Sequence, residues 1–127
     1  MSITNFEEIT KELSAEDYSL VTHLLRGFQA HTKQNPIKAA DIVKAINKNH
    51  PELKTKFTQV KLRKLCNFIR AKGMIGLIAT SNGYYTSTDI KEIRSQIISL
   101  YDRANAIVCS ADGLHKLIKR LEQKTDS

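Results

Sequence analysis

Residues 58–73 read TQVKLRKLCNFIRAKG, and residues 74–86, which follow, read MIGLIATSNGYYT. The first stretch carries the marks of one complete helix. Thr58 stands where an N-cap belongs, its hydroxyl placed to accept a backbone N–H of the first turn, with Phe57 and Leu62 at the positions of a hydrophobic staple. Leu62, Leu65, Cys66 and Ile69 recur at three- and four-residue spacing, so they share one face, which is predicted to be buried. Arg70, Ala71 and Lys72 lead to Gly73, a cation-bearing last turn closed by the residue that most readily takes positive φ. The second stretch changes period. An aliphatic run, then Ser81-Asn82-Gly83, then Tyr84-Tyr85 predicts a β-hairpin, because Asn82 and Gly83 both tolerate positive φ. Tyr84 and Tyr85 point to opposite faces, which places one in the core and the other in solvent.

Two more helical patterns lie upstream. Ser14 is placed to cap the first, Asp17 sits where a side chain reaches back to the cap, and Leu13 and Tyr18 are spaced as a staple. Tyr18, Val21, Leu25 and Phe28, with Leu24 beside them, form an apolar stripe to about His31. Pro36 biases Asn35 away from helical geometry and ends that helix. Ile37 is expected to form a very short strand. The next helix is expected from about Lys38 to Asn47, burying Ala39, Ile42, Val43 and Ile46. The connection from Lys48 to Phe57 is polar and longer than a tight turn. Residues 1–13 form an acidic leader.

Downstream, Ile90, Ile93, Ile97, Leu100, Ala104, Ile107, Ala111, Leu114, Ile118 and Leu121 are spaced alternately three and four apart. This is a heptad seam, and it predicts a long helix over residues 88–123. Ser87 or Thr88 is placed to cap it, and Asp89 and Glu92 suit its first turn. Asp112 and Gly113 weaken its middle and mark where it would kink. The seam from Ile93 to Leu121 is expected to join two copies of the chain, small Ala104 and Ala111 allowing close approach; packing back on its own domain is the alternative. Tyr101, Val108 and Leu117 broaden the stripe beyond a minimal two-stranded seam.

The chain has 127 residues and a formal net charge of +7, and the excess is concentrated. Residues 32–73 hold Lys33, Lys38, Lys44, Lys48, Lys54, Lys56, Lys61, Arg63, Lys64, Arg70 and Lys72 against only Asp41 and Glu52. A local excess of this kind builds a positive surface whose commonest polyanionic partner is nucleic acid. No apolar run reaches the roughly 18 residues of a membrane span, and residues 1–8 lack the basic and apolar regions of a signal peptide, so a cytoplasmic protein is expected. Cys66 and Cys109 both fall in helical patterns and are expected to be buried, reduced thiols. His23, His31, His50 and His115 are scattered without metal-ligand spacing. Neither a phosphate-cradling glycine loop nor a glycine-flanked nucleophile is present. No enzyme, metal, cofactor or small-molecule substrate is expected.

With the apolar face of residues 58–72 turned inward, Lys56, Val60, Arg63, Lys64 and Asn67 fall on the opposite side, and Gln59 at the N-terminal tip. Arg63 and Lys64 suit guanine edges or phosphates, Gln59 and Asn67 suit adenine, and Val60 suits a thymine methyl. Lys54, Thr58, Ser81 and Asn82 complete the set of expected DNA contacts, although the hairpin tip carries no cation of its own. Three helices followed by a hairpin, residues 14–87, resemble winged helix-turn-helix DNA-binding proteins. The stretch is similar to the N-terminal domain of biotin operon repressors, in which a helix ending Leu-Arg-x-x-Gly leads to a Gly-Tyr wing, and to small phage- and prophage-encoded winged-helix proteins. The resemblance implies duplex DNA binding through the third helix, by a small dimeric transcriptional regulator or a phage-type replication accessory. The fold class expected is therefore mainly α with a small β-hairpin, a winged helix-turn-helix followed by a long heptad helix. A protein–protein assembly module with the coil as scaffold is the alternative.

Overall fold

The computed structural model describes residues 13–126, so the leader expected over residues 1–13 lies outside the described residues except for Leu13. Among the described residues there are four helices and one two-stranded antiparallel sheet. In chain order they are α1 (Ala15–Gln29), α2 (Ala39–Asn49), α3 (Gln59–Ala71), β1 (Leu77–Thr80), β2 (Gly83–Thr86) and α4 (Ile90–Asp126). The chain divides after Ile93 into two compact units.

The helix ends form where local chemistry places them. Ser14 Oγ accepts the Asp17 N–H at 3.1 Å, and Thr58 Oγ1 accepts the Lys61 N–H at 3.2 Å, so two side-chain caps satisfy donors that the first turns leave open. At the far end of α3, Gly73 takes φ 61°, its N–H reaches Arg70 O, and the Met74 N–H reaches Ile69 O. That double return is a Schellman closure, which few residues other than glycine permit. In α4 the cap is Asp89, whose carboxylate accepts the Lys91 N–H at 2.9 Å, while Ser87 serves the Asp89 N–H one step earlier. The helix then runs unbroken through Gly113 for 37 residues.

The core of the first unit gathers three helices. Leu20, Val21, Leu24 and Phe28 of α1 meet Ile42 and Ile46 of α2 and Leu62, Leu65, Cys66 and Ile69 of α3, with Leu13, Phe57 and Leu77 closing the edges. The inner face of α1 differs from the expected stripe. Leu20 lies in the core, whereas Tyr18 is 44% exposed and sets its ring edge against Phe68 of α3 at 5.7 Å. The connection before α3 is held by one side chain: Asn47 Oδ1 accepts the Phe57 N–H at 2.9 Å and its Nδ2 donates to Phe57 O at 3.0 Å.

The hairpin pairs Leu77 with Thr86 through Thr80 with Gly83, leaving Ser81 and Asn82 as its two-residue loop. Neither loop residue takes positive φ; that demand falls on Gly83, at φ 130° in the strand itself. Ile37 adds a third-strand bridge on the free side of β2, its N–H donating to Tyr84 O at 2.9 Å and its carbonyl accepting from Tyr84 N at 2.7 Å. Thr86 then ties β2 to the end of α1, its hydroxyl donating to Phe28 O and its N–H to His31 O. Both tyrosines turn inward to some degree. Tyr85 is buried, and Tyr84 is half-buried with its ring 5.6 Å from that of Phe28, so the expected solvent-facing tyrosine is absent.

A buried charge joins α1 to α3. Asp17 is only 4% exposed, and its carboxylate lies 3.0 Å from Lys61 Nζ and 3.8 Å from Lys64 Nζ. Burial pushes this carboxyl up. The hydrogen bond and charge of Lys61, the charge of Lys64 and a backbone hydrogen bond at Ser14 outweigh that push, so it titrates below the usual 3.8. A carboxyl depressed in the folded state binds fewer protons there than when unfolded, so its contribution is full above the usual value and disappears as pH falls through the lower one.

Two outcomes follow from this geometry. The Asp17→Asn variant melts below the wild type at neutral pH, and the gap between their melting temperatures closes as pH is lowered past 3.8; a gap independent of pH would show that the ion pair is idle. A Cβ on Gly83 would lie 2.5 Å from Ile37 O, so Gly83→Ala costs about 1–3 kcal/mol in denaturant unfolding from strain and clash together. Gly113 has nothing within 4 Å, and Gly113→Ala is the control, neutral or stabilising by up to about 1 kcal/mol.

Candidate nucleic-acid interface

The orientation of α3 decides which side chains a ligand could meet. Leu62, Leu65 and Ile69 are fully buried on one side, and Lys61, Lys64 and Phe68 turn toward α1. Gln59, Val60 and Arg63 remain, all exposed, with half-buried Asn67 one turn further along. Val60 is 67% exposed, an apolar β-branched side chain in open solvent on a cationic surface. Lys54 and Lys56 are exposed on the connection that leads into this face. The Thr58 hydroxyl is engaged as the cap, so it positions the first turn.

Lys64 departs from its expected place. Its side chain is only 16% exposed and leans toward Asp17, so it flanks the outward face and does not stand on it. The sequence pattern could not show this, because the attracting carboxylate is on another helix.

Of the eleven cations in residues 32–73, Lys61, Lys64 and Arg70 are half-buried and the other eight are exposed. Arg70 Nε donates to Leu77 O at 3.3 Å and so braces the hairpin against α3. Lys72 lies 5.7 Å over the Phe68 ring. Ser81 and Asn82 are exposed at the hairpin loop. The missing cation at that tip is partly supplied by a neighbour: exposed Lys38 lies with Thr80, Ser81 and Gly83 around one shallow depression. Its signal in the sequence was the short strand at Ile37, which carries the next residue to the hairpin.

Three of the histidines are closer than their spacing implied. His23, His31 and His50 line one cleft of about 240 Å³ between α1 and α2, floored by Phe28, Ile42 and Ile46. The His23 and His50 rings are 4.6 Å apart. His31 Nδ1 donates to Asn35 O at 2.8 Å, and His50 Nδ1 donates to Glu52 at 3.1 Å, so each has a structural partner. Among the described residues no three metal-ligating groups converge.

The thiols separate into two kinds. Cys66 is buried beside Tyr84, and burial pushes its thiol up to about 11, which leaves it an unreactive core residue. Cys109 is exposed on α4, against the expectation that both would be buried.

On α4 every side chain from Tyr101 to Thr125 is exposed. Ile107, Leu114, Ile118 and Leu121 are 64%, 63%, 50% and 53% exposed, with Ala104 and Ala111 among them. Ile93 is a different case, half-buried and within 3.0 Å of the place a Gly76 Cβ would occupy, so it belongs to the first unit's packing. Ile97 at 44% and half-buried Leu100 open the exposed seam. No helix among the described residues is long and apolar enough to cross a membrane. Comparison of the chain with family models, curated proteins and solved structures finds no match.

Proposed function

We propose that this chain binds duplex DNA as a homodimer, presenting the first two turns of α3 to the major groove, in the manner of a small transcriptional regulator or a phage-type replication accessory. The observation that carries the reading is the row Gln59, Val60 and Arg63. It is exposed on a helix whose other sides are committed to packing, within a segment where eight cations face solvent. Arg63 offers a bidentate donor for guanine or phosphate, Gln59 a matched pair for adenine, and Val60 an apolar contact for thymine. Lys54, Lys56 and Lys38 supply phosphate contacts that fix orientation, with Ser81 and Asn82 as uncharged donors at the hairpin and Asn67 at the inner edge. Lys64, shared with Asp17, acts by holding α3 against α1.

The long apolar stripe of α4 supports the dimeric part of the reading. Side chains such as Ile107 and Leu114 in water forgo roughly 1.5–3 kcal/mol each, and a second copy would recover it. The same stripe also supports a second reading, assembly without nucleic acid, in which α4 is the working surface.

Fluorescence anisotropy with random-sequence duplexes across a salt series separates the two. Binding should weaken steeply with salt, and Arg63→Ala should weaken it further while lowering the slope of log K against log salt by about one, without changing the melting temperature. Lys64→Ala should instead lower the melting temperature. An affinity unaffected by salt or by Arg63→Ala would remove DNA from the account. Light scattering tests the dimer: the full chain should have the mass of two copies, and Ile107→Asp that of one.

A further inference from the structure

The order of residues along the exposed seam of α4 also specifies how two copies would lie. We infer that the second copy packs antiparallel, with the dyad between Asn105 and Ala106. The inference rests on the dimeric reading above and adds the direction of the partner helix.

The argument is one of matching volumes. Heptad seams bring residues together in layers, and an antiparallel pair sets each a position beside a d position of the partner, whereas a parallel pair sets like against like. In the a positions lie Ile97, Ala104, Ala111 and Ile118, and in the d positions Leu100, Ile107, Leu114 and Leu121. In the parallel arrangement Ala104 meets the partner's Ala104 and Ala111 meets the partner's Ala111. Two under-filled layers then alternate with bulky ones formed by Ile107 and Leu114. Helices held apart by the bulky layers would leave voids at the small ones. In the antiparallel arrangement Ala104 meets the partner's Ile107 and Ala111 meets the partner's Leu100. Every small residue then faces a large one, and the spacing is even along the seam.

The flanking positions agree. Tyr101 and Val108 are 69% and 56% exposed and both lie on the same edge of the seam. Antiparallel helices bring like edges together, so Tyr101 packs against the partner's Val108, twice about the dyad. Parallel helices bring opposite edges together, which would set Arg103 on the partner's Val108 and Glu122 on the partner's Leu117. Each contact of that second kind pairs an apolar side chain with a charged one, whereas the antiparallel contact pairs apolar with apolar.

The test uses the full chain with Cys109→Ser, so that a spin label introduced through Gln123→Cys on the solvent side of the helix is the accessible one. By the rise of 1.5 Å per residue, antiparallel helices place the two labels about 50 Å apart along the seam. Parallel helices place them side by side, within about 20–30 Å. A distance near 50 Å between labels in a species of two-chain mass is the expected result. A short distance in that species overturns the antiparallel direction and leaves the dimer standing. Absence of any dipolar coupling with a one-chain mass, or a four-chain mass, overturns this arrangement and the dimer together, whatever the chain does with DNA. Disulfide trapping gives an independent readout. Ile97→Cys and Leu114→Cys chains should cross-link when mixed and not alone, and self-linked Ile97→Cys would speak for the parallel form.

Discussion

Leu62, Leu65 and Ile69 are wholly withdrawn from solvent, and that burial sets the rotation of α3 about its own axis. A helix has one angular degree of freedom once its axis is placed, and an apolar face spanning about two turns removes it. The remaining faces then have no choice. One side turns Lys61 and Lys64 to the Asp17 carboxylate, and the other leaves Gln59, Val60 and Arg63 in water. Asp17 strengthens this assignment because a buried carboxylate without its ammonium partners would be costly, so a slipped helix is penalised electrostatically as well as by packing. The hairpin follows from the same constraint, since Arg70 on the final turn reaches Leu77 O and the Gly73 closure directs the chain back toward β1.

Much of this was legible in the residues because it is local. The caps at Ser14 and Thr58 and the closure at Gly73 each depend on partners within five positions, and the apolar face of α3 shows in its three- and four-residue spacing. What escaped depends on partners far along the chain. Lys61 and Asp17 are 44 residues apart, so a cation that periodicity alone would solvate is drawn inward. Asn47, read as a helix stop, is instead a two-point clamp on Phe57 ten residues later. One of Tyr84 and Tyr85 was expected in solvent because strand periodicity does not show the Phe28 ring that Tyr84 packs against. His23, His31 and His50 looked scattered because helical packing, not spacing, brings them to one cleft. The outward face of α3 was therefore readable except where a long-range charge reoriented Lys64.

The two ends of the molecule pose different problems of inference. In the first unit the burial of each face identifies its counterpart, and the core accounts for most of the apolar residues, Val60 being an exception. In α4 the heptad periodicity is equally regular, yet the residues from Tyr101 to Thr125 are all exposed. Periodicity reports that a face exists, while the sequence of large and small side chains within it carries the separate information of direction. Gly113 illustrates the limit of local propensity: a residue that disfavours helix by about 1 kcal/mol is carried through by the turns on either side.

The Asn47 clamp has an evolutionary consequence. Because a single side chain fixes both hydrogen-bonding groups of Phe57, the arrival of the chain at α3 does not depend on the path taken between them. Apart from Leu53, which packs against the core, the intervening segment is constrained chiefly by the entropy of closing a loop, where each doubling of length costs only about 0.6 kcal/mol. Insertions, deletions and charge changes around Lys54 and Lys56 are thus nearly neutral for folding. Selection can vary that stretch while the helix behind it holds its bearing.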